Sequence, residues 1–319
     1  MNVKEKTFSA IRWTTLSMIG RTVLSFLQLA VLARLLAPED FGLMALVIAV
    51  IAFVQVFMDM GVSNAIIHYQ NISENELSSL YWLNLFASVI LMVILFILSV
   101  PVAEFYKEPQ LQVLLKWVSI YFFIGALGKQ LQVVAEKELR FSILAKIELV
   151  TAIVSIVTVI IWVYYSPTVL ALVVGLLVSS LVMTVLSWAF LAQGWRPLLR
   201  VRVREIKRFL SFGYYTMARN LVISINSQAD ILIGGRLISA EVLGSYSVSR
   251  NLSHRLSGMI NPIVTRVGLP VMAKAQEDKD LLKIFFLKTI LMTASINFPL
   301  YLAVALFAPE VVLFLFGSQ

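Results

Sequence analysis

Long apolar segments follow one another along the whole chain and are separated by short polar loops. A helix rises about 1.5 Å per residue, so about 20 apolar residues are needed to cross the hydrocarbon core of a bilayer. The loops contain helix breakers and charges, and none is long enough to form a separate domain. The pattern predicts membrane helices at 13–34, 43–66, 80–101, 112–132, 146–164, 168–193, 210–236, 243–270 and 285–307, and a tenth that starts near Val311.

Composition agrees with this membrane class and narrows the function. Of the 319 residues, 60% are hydrophobic and 14% are charged, which is far more apolar than a soluble domain requires. The net charge of +8 comes from bases in loops that are not interleaved with exposed aromatic residues, so nucleic-acid binding is not predicted. The absence of cysteine excludes a disulfide framework and thiolate metal sites. No phosphate-binding loop, zinc-protease or serine-hydrolase motif occurs, so we predict no enzyme and no cofactor.

The basic residues are distributed unevenly between alternate loops. If the N-terminus is cytoplasmic, about seventeen Lys and Arg, Lys129 among them, fall in or beside inner loops, and only about four fall outside. This asymmetry is the positive-inside pattern, and it predicts a cytoplasmic N-terminus. The densest basic stretch, 196–208, is interpreted as a loop that fixes the topology, with binding of anionic lipid headgroups as the alternative.

An internal repeat is visible when the chain is compared with itself at an offset of 202. The segment 34–42 then lies over 236–244, with four identities in nine positions and the same place between two predicted helices. An offset that spans six helices gives two halves with the same orientation, an arrangement that occurs in transporters. We therefore predict a six-helix bundle over 1–200 and part of a second bundle over 201–319.

Polar and charged residues occupy one face of several predicted helices. Because a charge in hydrocarbon is expensive, such residues mark either a transport path or an internal ion pair. At 100° per residue, Arg219 and Asp230 fall within about 40° of each other on the seventh helix. We predict that these faces converge on a cavity with a net positive charge. Its candidate substrate-binding residues are Arg21, Arg219, Arg250, His254 and Arg255, and the candidates for coupling an ion or balancing the charge are Asp59 and Asp230.

Each of these residues also has a purely structural interpretation. Asp230 could neutralise Arg219 or Arg250 in a buried pair that only stabilises packing. Arg255 could extend along its helix toward the membrane surface. His254 is either a hydrogen-bonded structural side chain or a pH-sensitive group in a proton-coupled cycle. The sequence leaves these alternatives open.

Several strings resemble one known group of proteins. They cover residues 12–13, 32–42, 59–67, 136–141, 230–234 and 261–270. With these strings the chain resembles the polysaccharide transporter family of the multidrug/oligosaccharidyl-lipid/polysaccharide exporter superfamily, and within it the colanic-acid and teichuronic-acid exporters. The resemblance extends over essentially the whole chain.

This resemblance implies a fold and a function. It implies an all-α polytopic membrane protein with two six-helix bundles that form a V around a central cavity. It also implies alternating-access transport of undecaprenyl-pyrophosphate-linked oligosaccharides across the bacterial inner membrane, for export of exopolysaccharide or capsule. Its partners would be that lipid carrier, membrane lipids and the polysaccharide polymerase or export machinery. Because family members continue past residue 319, we expect a second bundle truncated at about the tenth helix.

Three other functions compete with this expectation. An ion-coupled exporter of small amphiphilic molecules from the same superfamily is supported by Asp59 and Asp230, although a net positive cavity argues against it. A membrane polymerase or ligase would need a sizeable outer loop with catalytic groups, whereas the predicted loops are short. The remaining alternative is an inactive fragment.

Overall fold

The computed structural model of the protein describes residues 3–69, 71–193, 195–199, 202–253, 279–310 and 313. Most of these residues are helical and no strand occurs among them, so the predicted all-α class is confirmed. The helices are α1 (Val3–Leu32), α2 (Pro38–Asp59), α3 (Val62–His68), α4 (Glu74–Tyr106), α5 (Pro109–Lys137), α6 (Phe141–Tyr165), α7 (Leu170–Leu191), α8 (Val203–Leu237), α9 (240–253) and α10 (Lys279–Leu306).

Six of the described helices, α2, α4, α5, α6, α7 and α10, are long and apolar enough to cross a membrane. Helix α1 contains a shorter apolar stretch, Ser17–Leu32. Helix α8 has 35 residues and is therefore about 52 Å long, but it carries more polar side chains than the six apolar helices. The prediction of a multi-pass membrane protein is confirmed.

Several helices begin earlier or end later than their apolar segments indicate. Helix α4 begins at Glu74, where a capping box joins the side chains and backbone of Ser73 and Glu76. Helix α5 continues to Lys137, five residues past the predicted end. Polar residues in the first and last turns satisfy helix-end hydrogen bonds, so hydropathy alone assigns them wrongly to loops.

The predicted second membrane helix, 43–66, is wrong in one respect, because the chain interrupts it. Helix α2 ends at Asp59, and Met60 and Gly61 both adopt left-handed conformations with φ of 44° and 70°. The short helix α3 then begins at Val62. The interruption brings the backbone of Gly61 onto α8, where a Cβ atom on Gly61 would lie 2.4 Å from the carbonyl oxygen of Gly213. Only glycine suits both the conformation and this close approach.

The chain divides into two compact units, Met1–Ser245 and Tyr246–Gln319. In the first unit α5 packs between α4 and α7, α1 packs on α6, and α8 packs on α2. The largest apolar cluster joins α2, α4, α5 and α8, with Leu43, Phe122 and Ile231 almost completely buried in it. Helix α8 therefore completes the first unit, and the division into homologous halves at residue 200 stays a prediction.

Helices α5 and α7 approach each other closely because small residues and hydroxyl groups face across their interface. A Cβ atom on Gly128 would lie 2.9 Å from Cα of Thr184. The Thr184 hydroxyl donates a hydrogen bond to the Ile124 carbonyl (2.9 Å), and Trp188 Nε1 donates one to the Leu127 carbonyl (2.8 Å). In lipid, such close backbone packing and interhelical hydrogen bonds hold helices together.

Candidate functional site: a polar cavity in the first unit

An ion pair joins α1 to α6. Arg21 Nη1 donates a hydrogen bond to Glu148 Oε2 at 3.0 Å, and the hydroxyl of Ser17 donates to the same oxygen at 2.9 Å. Ser17 lies one turn before Arg21, so both donors lie on one face of α1. Ser17 is buried, whereas the side chains of Arg21 and Glu148 are 53% and 33% exposed. The pair therefore borders open space and is not enclosed in the core.

That open space consists of two cavities of about 340 and 540 Å³, and Arg21 and Glu148 line both. The smaller cavity lies among α2, α5, α6 and α7, and the larger one lies between α1, α6 and α7. Other lining residues of the smaller cavity are Gln55, Tyr121, Lys129, Gln132, Thr151, Ser179, Ser180 and Thr184. The larger cavity is lined by Thr22, Ser25, Gln28 and Ser155 among others.

Charged residues of both signs surround the smaller cavity. Its lining includes two cations, Arg21 and Lys129, and one anion, Glu148. Glu136, about two helical turns beyond Lys129 on α5, interacts electrostatically with Lys129, Glu148 and Asp59. Lys129, which the sequence analysis counted among the bases in or beside inner loops, lies within α5, eight residues before that helix ends.

Neutral polar groups line the rest of the smaller cavity. Ser180 and Thr184 donate hydrogen bonds to carbonyl groups of α5, and Gln132 Nε2 donates one to Ser187 Oγ at 3.3 Å. The guanidinium of Arg21 and the ammonium of Lys129, which line the same cavity, can bind oxyanions. Amide and hydroxyl groups beside them can exchange hydrogen bonds with a polyhydroxylated ligand. The cavity is therefore chemically suited to a molecule that combines an anion with sugar hydroxyls.

The structure places the predicted site residues in different locations. Arg21 lines both cavities, as described above. Asp59 ends α2 and accepts a hydrogen bond from the Ser63 hydroxyl. Arg219 and Asp230 are exposed on α8, outside the lining of both cavities, and are separated by about 16 Å along the helix axis, too far for a direct pair. Arg250 is partly exposed on α9. His254 and Arg255 lie outside the described residues.

Two charged residues of the cavity escaped the sequence analysis. Glu148 is an isolated carboxylate seven residues inside a membrane helix, and an ionisable residue in such a segment is a candidate functional residue by itself. Glu148 lies inside the predicted helix 146–164, yet it was not selected as a candidate. Lys129 lies inside the predicted helix 112–132 and was counted only among the bases in or beside inner loops. Their positions inside predicted membrane helices were the signal that could have identified both residues.

The fold and the cavity define the class: a polytopic α-helical membrane protein with a charged internal cavity. The chain belongs to the polysaccharide biosynthesis protein family, which it matches over residues 31–319. The family expected from the sequence strings is thereby confirmed.

Individual relatives are similar over the whole chain. An uncharacterized membrane protein in the cps region of Klebsiella pneumoniae is 34% identical, the teichuronic acid biosynthesis protein TuaB of Bacillus subtilis 31%, and the lipopolysaccharide biosynthesis protein WzxC of Escherichia coli 30%. Each alignment covers 100% of this chain but only 66%, 66% and 65% of the respective relative. The chain thus spans slightly less than two thirds of the length of these relatives.

A solved structure shares the fold. The lipid II flippase MurJ in an inward closed conformation superposes with a TM-score of 0.72 at 14% sequence identity. The superposition covers 96% of this chain and 67% of that protein. The predicted exporter fold is therefore supported by structure as well as by sequence.

Proposed function

We propose that the protein moves lipid-linked oligosaccharides across the bacterial inner membrane, with undecaprenyl pyrophosphate as the carrier. The observation that carries this proposal is the position of Arg21, a cation within the apolar stretch of α1 that faces two polar cavities. Such a charge is costly in a membrane and is retained where it serves a transport path. The relatives named for teichuronic acid and lipopolysaccharide biosynthesis, and the flippase with the same fold, support the choice of cargo.

The chemistry of the cavity fits the two polar parts of such a cargo. Arg21 presents a permanently charged planar fork that binds phosphate oxygens two at a time, and Lys129 adds a second positive charge. Glutamines and hydroxyl groups of the lining suit the sugar part. The polyprenyl tail has no counterpart among the polar groups of the cavity and would stay in the surrounding bilayer.

Orientation, mechanism and partners belong to the same proposal. The distribution of Lys and Arg favours a cytoplasmic N-terminus. We infer alternating access, in which a six-helix bundle over 1–200 rocks against a second bundle that begins at 201. The polysaccharide polymerase or export machinery would receive the translocated oligosaccharide, and membrane lipids would surround the helices.

The test is transfer of a labelled undecaprenyl-pyrophosphate-linked oligosaccharide in proteoliposomes, followed by its accessibility to an external glycosidase. The longer relative WzxC of Escherichia coli is assayed in parallel. Transfer by the wild-type protein, reduced at least about tenfold by Arg21→Gln, is expected because the mutation removes the permanent charge. Lys207→Gln serves as the matched control, since Lys207 is an exposed cation on α8 that lines neither cavity. Absence of transfer by this protein with any donor that the relative does transfer would contradict the proposal.

A second candidate is export of small amphiphilic cations coupled to an ion. It is favoured by a group of carboxylates at and beside the smaller cavity, in which Glu136 interacts electrostatically with both Glu148 and Asp59. Resistance to cationic drugs in a sensitised host that lacks polysaccharide synthesis would support this function. Resistance that is lost on Glu148→Gln would link it to this cavity.

A further inference from the structure

We propose that Glu148 is a built-in counter-anion of Arg21, which an anionic group of the substrate displaces. This inference rests on the proposed function and deepens it, because it names a residue that sets how tightly the cavity holds an anion. Glu148 would be a positioning residue, since it acts through Arg21 and does not itself bind the anion.

The geometry of the Arg21–Glu148 pair suits a contact in which another anion can replace Glu148. One carboxylate oxygen, Oε2, accepts both hydrogen bonds, one from Arg21 Nη1 and one from Ser17 Oγ. The guanidinium has five N–H groups, and its contact with Glu148 is made through one nitrogen, Nη1. The contact is therefore not the two-pronged arrangement that makes arginine–carboxylate pairs strong. A diphosphate or carboxylate that offered two oxygens would compete well.

The location of the pair gives a competing anion access. Arg21 and Glu148 line both cavities, so an anion in either one meets the same guanidinium. More than half of the Arg21 side chain and a third of the Glu148 side chain are exposed, and ion pairs in such surroundings are weak. Ser17 is buried and fixed on α1, so its hydroxyl can hold Glu148 near Arg21 while the guanidinium changes partner.

Neutralisation of Arg21 by Glu148 would serve the empty protein in two ways. It lowers the cost of keeping a cation inside a membrane when no substrate is present. It also lowers the affinity for the anion, because the substrate must displace a carboxylate before it binds. A transporter benefits from such limited affinity, since a cargo that is bound too tightly is not released.

The ligand chemistry is an oxyanion, which in the proposed cargo comes either from a diphosphate or from an acidic sugar. Binding of inorganic pyrophosphate and of glucuronate is measured separately by calorimetry on the purified protein in nanodiscs of zwitterionic phosphatidylcholine. This bilayer carries no net negative headgroup charge, so lipid does not supply the anion. The probe with the larger response to Arg21→Gln identifies the source.

The decisive variant is Glu148→Gln, which keeps the size of the side chain and removes its charge. We expect it to bind pyrophosphate about 1.5- to fivefold more tightly, the range that corresponds to loss of one exposed ion pair. The matched control is Glu39→Gln, which removes an exposed carboxylate that lines neither cavity. Its affinity should stay within about 1.5-fold of the wild type. If Glu148→Gln does not fold, Glu148→Asp withdraws the carboxylate by one methylene group and should shift the affinity in the same direction.

Three results would overturn the inference. Unchanged or weaker binding by Glu148→Gln would show that Glu148 does not compete for Arg21. Equal tightening by Glu39→Gln would show a general charge effect. Undiminished tightening by Glu148→Gln in an Arg21→Lys background, which keeps the charge but not the fork, would show that the guanidinium contact is irrelevant. The proposed function has its own readout, so a protein that transfers the lipid-linked cargo but gives any of these results refutes the inference alone.

Discussion

Gly42 and Gly244 meet backbone to backbone: a Cβ atom on Gly42 would lie 3.0 Å from the nitrogen of Gly244, and one on Gly244 would lie 2.9 Å from the nitrogen of Gly42. The two residues are 202 positions apart, which is the offset of the sequence repeat. The neighbouring contacts are also reciprocal: Gly42 approaches the carbonyl of Ala240, Gly244 approaches the carbonyl of Pro38, and Pro38 and Ala240 are likewise 202 positions apart. Reciprocal contacts of this kind arise where two equivalent segments pack about a local two-fold axis. The division of the chain into two homologous halves stays a prediction.

Substitution of either glycine by alanine should destabilise the protein strongly. The added Cβ would lie 1.9 Å from Ala240 O in Gly42→Ala and 1.7 Å from Pro38 O in Gly244→Ala, and a backbone oxygen cannot move aside as a side chain can. We expect a loss of about 3 kcal/mol in the free energy of unfolding, at the upper end for overpacking. Thermal unfolding in detergent measures it. Gly234→Ala is the control, because its Cβ would meet only a side-chain carbon at 3.3 Å. If all three substitutions lowered stability equally, the backbone contact between Gly42 and Gly244 would not be the cause of the loss.

Gly213→Ala tests the contact between α8 and the interruption that follows α2. Alanine is favoured over glycine in a helix interior by about 1 kcal/mol, so the isolated helix would gain. In the protein the new Cβ would lie 2.3 Å from the Met60 carbonyl oxygen, and we expect a net loss of about 2 kcal/mol. Gly235→Ala on the same helix should cost less, because the new Cβ would meet only side chains, those of Leu46 and Tyr106, and no backbone atom. A lower melting temperature for Gly235→Ala than for Gly213→Ala would show that the backbone contact with Met60 is not the cause.

Asp40 has a structural role that substitution should reveal. Its Oδ2 accepts a hydrogen bond from the Ala37 nitrogen (3.1 Å), and its Oδ1 accepts one from the Val169 nitrogen before α7 (3.2 Å). Asp40→Asn keeps one acceptor and should cost about 1 kcal/mol, whereas Asp40→Ala loses both and should cost about 2 kcal/mol. Glu39→Gln, at an exposed neighbouring position, should change stability by less than about 0.5 kcal/mol. If Asp40→Ala keeps wild-type stability but abolishes transport, the role is functional instead.

Arg208 connects α8 to the first turn of α4 and to the segment before it. One nitrogen donates to Glu76 Oε1 at 2.8 Å and to the Asn71 carbonyl at 3.0 Å, and the guanidinium lies over the Tyr69 ring. Because lysine has no planar fork, Arg208→Lys should still lose more than half of the stability that Arg208→Ala loses. We expect the alanine variant to lose about 1–2 kcal/mol. Lys207→Ala is the exposed control, and full recovery by lysine would show that charge alone suffices.

The resemblance strings show how far sequence reasoning reached. The string 32–42 identified the family correctly, yet it did not show what its residues do. Asp40 binds a nitrogen 129 positions away, and Gly42 touches a segment 202 positions away, so both roles depend on long-range packing. The interruption at Met60 and Gly61 was missed for a related reason, because its apolar flanks look continuous until α8 is packed against them.

The candidate site was predictable only in part. The polar face of α1 was recognised by its helical spacing, and Arg21 does line a cavity. Its partner Glu148 is 127 residues away on α6, and no periodicity within one helix indicates which other helix will face it.

The sequence by itself determined the membrane class, the approximate positions of most described helices and the family, because hydrophobic length and helical period are local properties of a chain. The tertiary structure decided which charges meet and where backbones touch, as in the Arg21–Glu148 pair and the Gly42–Gly244 contact. Those features depend on how helices pack in three dimensions, and helix packing is a property of residues that are distant in sequence.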